Sequence, residues 1–400
     1  IYVARKDSPM ILGVEDGEAY IASDVPAILK YTRNVYYIGN MEMARVRKGE
    51  ITFYNLDGEE IEKKMKVIDW DAEAAEKAGF EHFFMLKEIH EQPKVVQDTL
   101  NSVLKDGRID LAEVGLAEDE IKDISQIYIV ACGSAYHVGM AAQYVIEDMA
   151  RIPVRVELAS EFRYRNPILD PHALAIVISQ SGETIDTLAA MREAKRRGGR
   201  TLAIVNVVGS SIAREADDVL YTWAGPEIAV ATTKAYRKKM AVLNLLGLYF
   251  GEVMGTVDYE TYTAMVRDIL ALPEKLEQVL AQADQIQQIA RDFAGRDDVF
   301  FIGRNLDYAL SMEGSLKLKE ISYIHSEAYA SGELKHGTIS LIEPGTLVVA
   351  LGTYAPLFDK AMSNVVEVKA RGAEVLALTT EDFREKMEKT ADATVSVPVT

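Results

Sequence analysis

The chain contains an internal duplication, and no other feature of the sequence constrains its fold as strongly. A buried-type strand pattern ends in Gly133 and again in Gly303, 170 positions later. The match continues through a second buried strand and a helix–strand unit to the Ala-Asp pairs at 216–217 and 391–392, which lie 175 positions apart. An offset that stays nearly constant over four elements indicates a repeated structural unit. The sequence therefore predicts two copies of one domain.

Strand and helix patterns alternate within each copy. Short apolar runs rich in β-branched residues are typical of buried strands, and the segments between them have helical spacing. This alternation predicts an α/β fold in which each copy is a parallel sheet covered by helices on both faces. In the first copy the predicted strands are at 127–132, 154–158, 175–178, 201–207 and 219–223.

The segment after the strand at 175–178 carries the clearest functional signal. It contains Ser179, Gln180, Ser181, Gly182, Glu183 and Thr184, and we expect a helix over 183–197. The carboxyl edge of a parallel sheet is where ligands bind, and a helix N-terminus favours an anion. The alternative is that these residues only cap the helix. Five hydrogen-bonding side chains in six residues exceed what a cap needs, so the pattern favours a phosphate site.

The second copy differs at the corresponding position, where Leu351 to Pro356 contain few hydrogen-bonding side chains. It carries ionisable groups instead, and we expect them near the region equivalent to the helix at 183–197. The sequence therefore predicts that the first copy holds an anion and the second supplies groups that move protons. The ionisable residues are Glu313, Lys317, Glu320, Glu327, Glu333, Lys335 and His336.

Composition excludes several other classes of protein. The net charge of −18 disfavours a nucleic-acid partner, and no run approaches the ~20 apolar residues of a membrane span. Cys132 is the single cysteine, which excludes an internal disulfide, and the six histidines show no metal-ligand spacing. We expect a cytoplasmic protein without metal or other cofactor.

Five short motifs occur in a fixed order along the chain. They are Cys-Gly-Ser-Ala-Tyr-His at 132–137, Ser-Gln-Ser-Gly-Glu-Thr at 179–184, Thr-Lys-Ala-Tyr at 233–236, Glu-Ile-Ser-Tyr-Ile-His at 320–325 and Gly-Glu-Leu-Lys-His-Gly at 332–337. Together these motifs resemble one enzyme family, the glutamine:fructose-6-phosphate amidotransferases (glucosamine-6-phosphate synthases). The segment at 84–93 is similar to the linker of that family, and residues 1–66 are similar to the end of its glutaminase domain.

The resemblance implies a domain order in which two sugar-isomerase (SIS) domains follow part of a glutaminase domain. The expected boundaries are 1–66 for the glutaminase part, 67–110 for a linker, 111–255 for the first SIS domain, 256–290 for a helical connector and 291–400 for a truncated second SIS domain. The chain begins at Ile1 without an initiator Met and stops while a strand pattern is forming, so we expect an interior piece of a longer protein.

The family transfers ammonia from glutamine to fructose 6-phosphate and isomerises the product to glucosamine 6-phosphate. The resemblance implies that Ser179, Gln180, Ser181 and Thr184 hold the phosphate. It also implies that the sugar is lined by Gly133, Ser134, Val230 and Thr232.

Three further roles are implied for ionisable residues. Glu320 would move the proton between the first two sugar carbons, with Lys317 as its supporting cation. His336 would open the sugar ring, and in the family it reaches the neighbouring subunit, which implies a homodimer. The alternatives are that Lys317 and Glu320 form an ordinary surface pair and that His336 is a packed loop histidine.

The chain also departs from the family pattern. The N-terminal cysteine of the glutaminase and the lysine of the C-terminal tail are absent, so we expect the chain to bind the sugar phosphate without hydrolysing glutamine or transferring ammonia. Ala135 stands where many members have serine. Arg237, Lys238 and Lys239 stand where the family has small hydroxyl residues and glutamine.

Two other functions are compatible with the same domains. One is a sugar-phosphate isomerase or a fructosamine-phosphate deglycase, against which the glutaminase-like residues 1–66 count. The other is a non-catalytic phosphosugar sensor, for which Glu320 would be dispensable.

Overall fold

The structure is a computed structural model of the chain. It describes residues 1–6, 10–23, 27–68, 84–111, 114–222, 227, 229 and 231–399. These residues form an N-terminal β unit, a helical connector and two α/β domains with a run of helices between them.

Eight short strands form the N-terminal unit: β1 Tyr2–Arg5, β2 Ile11–Glu15, β3 Glu18–Ala22, β4 Asn34–Tyr37, β5 Glu42–Arg47, β6 Glu50–Tyr54, β7 Glu60–Ile61 and β8 Lys66–Val67. They make two antiparallel sheets, with strand orders β1-β5-β6-β7 and β3-β2-β4-β8. Leu12 of one sheet packs with Ala44 and Phe53 of the other. Each sheet therefore buries one face against its partner sheet, as small sheets must.

The connector begins with helices α1 (Phe84–His90) and α2 (Gln92–Val103). Pro93 lies in the first turn of α2. Proline is tolerated there, since the first N–H groups of a helix have no intrahelical acceptor. Phe83 lies outside the described residues. The hairpin β9 (Leu104–Lys105) and β10 (Arg108–Ile109) and the short helix α3 (Glu118–Lys122) complete the connector.

The first α/β domain has five parallel strands in the order β12-β11-β13-β14-β15. Its elements are β11 Gln126–Ala131, α4 Ser134–Ala150, β12 Val154–Leu158, α5 Ala159–Phe162, β13 Ala173–Ser179, α6 Ile185–Arg196, β14 Arg200–Val205, α7 Ser211–Glu215, β15 Asp218–Tyr221 and α8 Lys234–Met254. The helix predicted over 183–197 begins two residues later, because residues 179–184 form a tight turn.

Both faces of this sheet are buried, as the continuous apolar strands predicted. Ile129 points towards α4 and α8, where it joins a cluster with Val138 and Leu245. The next residue, Val130, points to the opposite face and belongs to the cluster that contains Phe162 of α5. Alternate residues of one strand thus enter two different cores.

Three helices follow the first domain: α9 Tyr259–Leu270, α10 Leu272–Leu280 and α11 Ala283–Asp292. The second domain then repeats the sheet order of the first, as β17-β16-β18-β19-β20, again with all strands parallel. This identity of topology confirms the duplication. Its elements are β16 Asp298–Gly303, α12 Leu306–Ser322, β17 His325–Ala330, β18 Leu347–Gly352, α13 Phe358–Ala370, β19 Glu374–Thr380, α14 Arg384–Glu388 and β20 Ala393–Val397.

One prediction about the second copy is wrong. Glu313, Lys317 and Glu320 lie on α12, which follows the first strand of its domain. Their helix therefore corresponds to α4 and not to α6, the helix after the phosphate-type loop. Helices α4 and α12 pack against each other and bring the two domains into contact. Over the described residues, no helix is long and apolar enough to cross a membrane.

Candidate functional site

The loop at 179–184 closes on itself at the carboxyl end of β13, the central strand of the first sheet. The buried Ser179 Oγ lies 2.9 Å from Thr184 Oγ1 and accepts a hydrogen bond from the Gly182 N–H at 3.0 Å. Ser181 Oγ accepts from the Glu183 N–H at 3.2 Å. Thr184 is the N-cap residue of α6, but its side chain accepts no hydrogen bond from that helix. The loop therefore does not serve only as a helix cap.

Gly182 is required for this turn. Its φ is +66°, in the left-handed region that side chains disfavour, and a Cβ built there would lie 2.0 Å from Ser210 Oγ. The backbone of the loop thus packs directly on the segment that begins α7. Gln180 Oε1 and Ser210 Oγ are buried beside it and have no hydrogen-bond partner among the described residues. Buried polar atoms of this kind are normally satisfied by water or a ligand.

Gly133 and Ser134 lie at the end of the neighbouring strand β11, on the same edge of the sheet. Gly133 is the N-cap of α4, with φ 56° and ψ −134°. Asn305 is the N-cap of α12 in the second domain and has nearly the same backbone, with φ 55° and ψ −122°. The duplication therefore preserves this turn, and glycine adopts it at the least conformational cost.

The second domain fills its corresponding loop with one of its own side chains. Asp307, the second residue of α12, is buried and accepts hydrogen bonds from Thr353 N at 2.9 Å, Thr353 Oγ1 at 2.5 Å and Tyr354 N at 3.2 Å. Burial raises the pKa of the Asp307 carboxyl above its usual value. Ala135 is the second residue of α4 and has no such group. Among the described residues, the first-domain loop therefore receives no carboxylate from the position equivalent to Asp307.

Thr232 is held by Glu227, a residue that sequence reasoning missed. Glu227 accepts hydrogen bonds from Thr232 Oγ1 at 2.6 Å, Thr233 N at 2.8 Å and Ala235 N at 3.3 Å. This carboxylate thus fixes the turn that begins α8. Val230 lies outside the described residues.

A chain of ionisable side chains runs along α12 into the first domain. Lys317 Nζ lies 2.5 Å from Glu320 Oε2 and 3.6 Å from Glu313 Oε1. The other carboxylate oxygen of Glu313 lies 2.8 Å from His137 Nδ1, on the first turn of α4. The side chain of Lys317 is 16% exposed and that of Glu320 is 34% exposed, so Glu320 forms the more exposed end of this cluster.

Comparison with known proteins identifies the domains. A family model described as SIS domain matches residues 120–249 and 292–399. The chain belongs to the SIS domain family. The matched ranges contain every strand of the two parallel sheets described above, so the prediction of two tandem SIS domains is confirmed.

Full-length sequence relatives narrow the group within that family. The chain is 54% identical over its full length to glutamine–fructose-6-phosphate aminotransferase [isomerizing] from Clostridium acetobutylicum and 52% identical to the protein of that name from Caldanaerobacter subterraneus. It spans 65% and 66% of the lengths of these two relatives. The resemblance to this group is therefore confirmed, and the chain covers about two thirds of a typical member.

A solved structure agrees with this grouping. The C-terminal domain of glucosamine-fructose-6-phosphate aminotransferase from Francisella tularensis superposes with a TM-score of 0.78 at 37% identity, covering 81% of this chain and 91% of that one. Glucosamine-6-phosphate deaminase from Thermotoga maritima, at 24% identity and a TM-score of 0.61, shares the SIS fold.

His336 lies neither with the loop at 179–184 nor with the ionisable cluster of α12. It ends a short 3₁₀ helix, Leu334–His336, and its side chain is exposed. Among the described residues, the His336 side chain has no hydrogen-bond or ion-pair partner. The His336 side chain is therefore not packed against the described residues of this chain.

The basic departure from the family pattern places two amines inside the first SIS domain. The side chain of Arg237 is exposed, whereas Lys238 and Lys239 are 0% and 4% exposed. Burial lowers the pKa of Lys238 to about 7 and that of Lys239 to about 8, although the negative charge of Glu227 opposes both shifts. Lys238 Nζ has no hydrogen-bond partner among the described residues.

Proposed function

We propose that this chain is the sugar-phosphate-processing part of an isomerising glutamine–fructose-6-phosphate aminotransferase. The full protein would transfer ammonia from glutamine to fructose 6-phosphate and form glucosamine 6-phosphate. The supporting observation is the polar loop at 179–184, at the carboxyl edge of the first sheet, in a chain that is 54% identical to such an aminotransferase along its whole length. The alignment includes residues 1–66, which an isomerase or deglycase alone would not need. Residues 1–66 then belong to the glutaminase domain, and the domain boundaries follow the family order.

The phosphate of the substrate would bind at the carboxyl edge of the first sheet. The hydroxyls of Ser179, Ser181 and Thr184 and the free amides that begin α6 would donate hydrogen bonds to its oxygens. Gln180 would bind beside them. Gly133, Ser134, Val230 and Thr232 would line the sugar, with Glu227 keeping the Thr232 turn in place.

The isomerisation would use the side chains of α12. Ammonia condenses with the C2 carbonyl of fructose 6-phosphate and water leaves, giving an imine. Glu320 then takes a proton from C1 and returns one to C2, while the C1 hydroxyl loses its proton and the imine nitrogen gains one, so that C1 becomes an aldehyde and C2 carries an amine. The ammonium of Lys317 stabilises the negative charge that develops on the sugar. Glu313 and His137 position Lys317.

The ring-opening step is assigned to His336. Because its side chain is exposed, it would act in the site of a second subunit, which makes a homodimer the working unit. Glutamine is a substrate of the full-length protein, and we infer a cytoplasmic location.

Calorimetric titration with fructose 6-phosphate tests the binding part of this proposal. Ser179→Ala should weaken binding about tenfold or more, because it removes the hydroxyl that joins Thr184 and Gly182. Ser363→Ala, which removes an exposed hydroxyl on α13, should leave affinity within about twofold. Equal affinity in both variants would contradict the site.

Turnover in the full-length protein separates an enzyme from a sensor. Glu320→Gln should abolish formation of glucosamine 6-phosphate and retain binding of fructose 6-phosphate, because the amide cannot accept a proton from carbon. Normal turnover in Glu320→Gln would favour the non-catalytic sensor.

A further inference from the structure

A basic cavity of about 220 Å³ lies between the N-terminal β unit and helices α6 and α7 of the first SIS domain. Four arginines line it, namely Arg5, Arg163, Arg192 and Arg214, and apolar side chains from α6 form part of its wall. The protein as a whole carries a net charge of −18. The four guanidinium groups therefore concentrate positive charge around one small cavity of a protein whose net charge is negative.

Three carboxylates, those of Asp186, Glu215 and Glu183, lie within ion-pair distance of the four arginines, which leaves one positive charge in excess. Asp186 pairs with Arg163 at 2.8 Å, and Glu215 pairs with Arg192 at 2.6 Å. Arg214 has no carboxylate within ion-pair distance among the described residues and donates only to the Gly209 carbonyl and to Ser211 Oγ.

Arg5 is the arginine with the most restricted surroundings. Its side chain is 14% exposed, and its Nη2 is 3.8 Å from Glu183 Oε2, too far for a hydrogen bond. Nη1 donates to the Ile38 carbonyl at 2.5 Å. Nε is buried and has no acceptor among the described residues. A guanidinium carries five N–H donors, so Arg5 can still donate to a ligand in the cavity.

We propose that this cavity is a second anion site, which binds a small phosphorylated molecule or inorganic phosphate. Guanidinium groups pair with phosphate oxygens through two parallel hydrogen bonds, and several of them can share one tetrahedral anion. The volume is below the roughly 300–1,000 Å³ of pockets for drug-sized ligands, which restricts the occupant to a small molecule. The anion would contact Arg5 and Arg214 and thereby join the β unit to α7.

This site is separate from the loop proposed for the sugar phosphate, because none of residues 179–184 lines the cavity. Ser179 and Thr184 face each other inside the loop, whereas Glu183 points outwards to Arg5 and accepts from the Ser211 N–H at 2.8 Å. None of the four arginines is used in the proposed aminotransferase function. The two proposals can therefore succeed or fail independently.

Calorimetric titration with inorganic pyrophosphate tests the second site on the chain as it stands. We expect binding that Arg214→Gln and Arg5→Gln each weaken about tenfold or more, because each removes charge-assisted hydrogen bonds. Arg267→Gln, at a side chain 78% exposed on α9, is the matched control and should stay within about twofold. Any binding of pyrophosphate to the loop at 179–184 should be weakened by Ser179→Ala, which should leave the binding event that depends on Arg214 within about twofold.

Two results would overturn the second site. One is the absence of pyrophosphate binding to the wild-type chain. The other is binding that Ser179→Ala removes and Arg214→Gln leaves unchanged, which would place the anion in the loop. Arg214 is exposed, so Arg214→Gln keeps the test decisive if Arg5→Gln fails to fold. Titrations with glycerol 3-phosphate and inorganic phosphate distinguish the source of the anion: tighter binding of the ester supports a phosphorylated metabolite, and equal binding supports inorganic phosphate.

Discussion

His137 Nδ1 lies 2.8 Å from Glu313 Oε2, so a hydrogen bond joins the first turn of α4 to the helix that carries Lys317 and Glu320. The two residues are 176 positions apart in the sequence and belong to different SIS domains. Residues from both copies of the duplicated unit thus meet in one polar cluster.

His137→Gln should lower turnover of the full-length enzyme about tenfold or more, because Glu313 loses the partner that orients it towards Lys317. Binding of fructose 6-phosphate should change by less than about threefold, since His137 lies outside the phosphate loop. Steady-state kinetics and calorimetry give the two values. His172→Gln is the matched control: it removes a comparable bond, 2.6 Å to Asp123, from the protein surface. A similar loss of turnover in both variants would contradict a positioning role.

Gly182→Ala should lower the free energy of unfolding by roughly 2–4 kcal/mol, because it adds both a clash with Ser210 and an unfavourable positive φ. Gly198→Ala has φ +86° with nothing within 4 Å of the added Cβ, so it isolates the backbone cost of about 1 kcal/mol. Urea unfolding gives both values. Ser210→Gly combined with Gly182→Ala should recover part of the loss, and equal costs for the two single variants would exclude the clash.

Ala135→Asp should place a carboxylate against the loop of the first domain, as Asp307 does in the second domain. A carboxylate at this position would accept hydrogen bonds from the loop and repel the phosphate, so affinity for fructose 6-phosphate should fall about tenfold or more. Ala135→Ser adds a neutral hydroxyl and should bind at least as tightly as the wild type. Calorimetry distinguishes the two, and unchanged affinity in Ala135→Asp would show that α4 does not face the ligand.

Lys238→Met should stabilise the protein most strongly in mildly acidic solution. Because burial lowers the folded pKa of Lys238 to about 7, the unfolded chain binds more protons than the folded one between pH 7 and about 10. The cost of the buried ammonium is complete below pH 7 and disappears as the pH rises through that range. We therefore expect Lys238→Met to gain roughly 1–4 kcal/mol near pH 6 and much less near pH 10.

Urea unfolding at several pH values measures this gain. Lys319→Met, at an exposed site on α12, serves as the control and should show a small effect that does not depend on pH. A gain for Lys238→Met that is constant from pH 6 to pH 10 would show that Lys238 is not the titrating group.

Local patterns predicted the features that depend on neighbours in the sequence. The parallel sheets and their repetition followed from apolar runs at a steady offset, and the loop at 179–184 followed from its hydroxyls after a buried strand. The start of α6 was predicted two residues early, because helical spacing does not reveal a tight turn. Two predicted residues lie outside the described part of the chain: Val230, predicted to line the sugar, and Trp223, predicted to end the strand at 219–223.

Features that depend on distant contacts could not be predicted. Nothing near His137 in the sequence indicates Glu313 as its partner, since their approach depends on the packing of α4 on α12. Lys238 and Lys239 resemble a solvated charge run, and their burial becomes visible only when α8 is placed against its neighbours. The ionisable side chains of α12 were predicted near the equivalent of α6, whereas α12 is the equivalent of α4. That error also concerns distant contacts, because the order of motifs in the sequence does not specify which helix faces the other domain.

The Asp307 carboxylate makes the two copies of the duplicated domain differ in how their strand-edge loops are held. The second copy carries a permanent internal substitute for a bound anion, so its strand-edge loop is already ordered when no metabolite is present. The first copy lacks that substitute, and its loop is closed by the hydrogen bonds among Ser179, Gly182 and Thr184 instead. Heating or proteolysis without substrate should therefore attack the earlier half of the pair first, and fructose 6-phosphate should protect that half selectively.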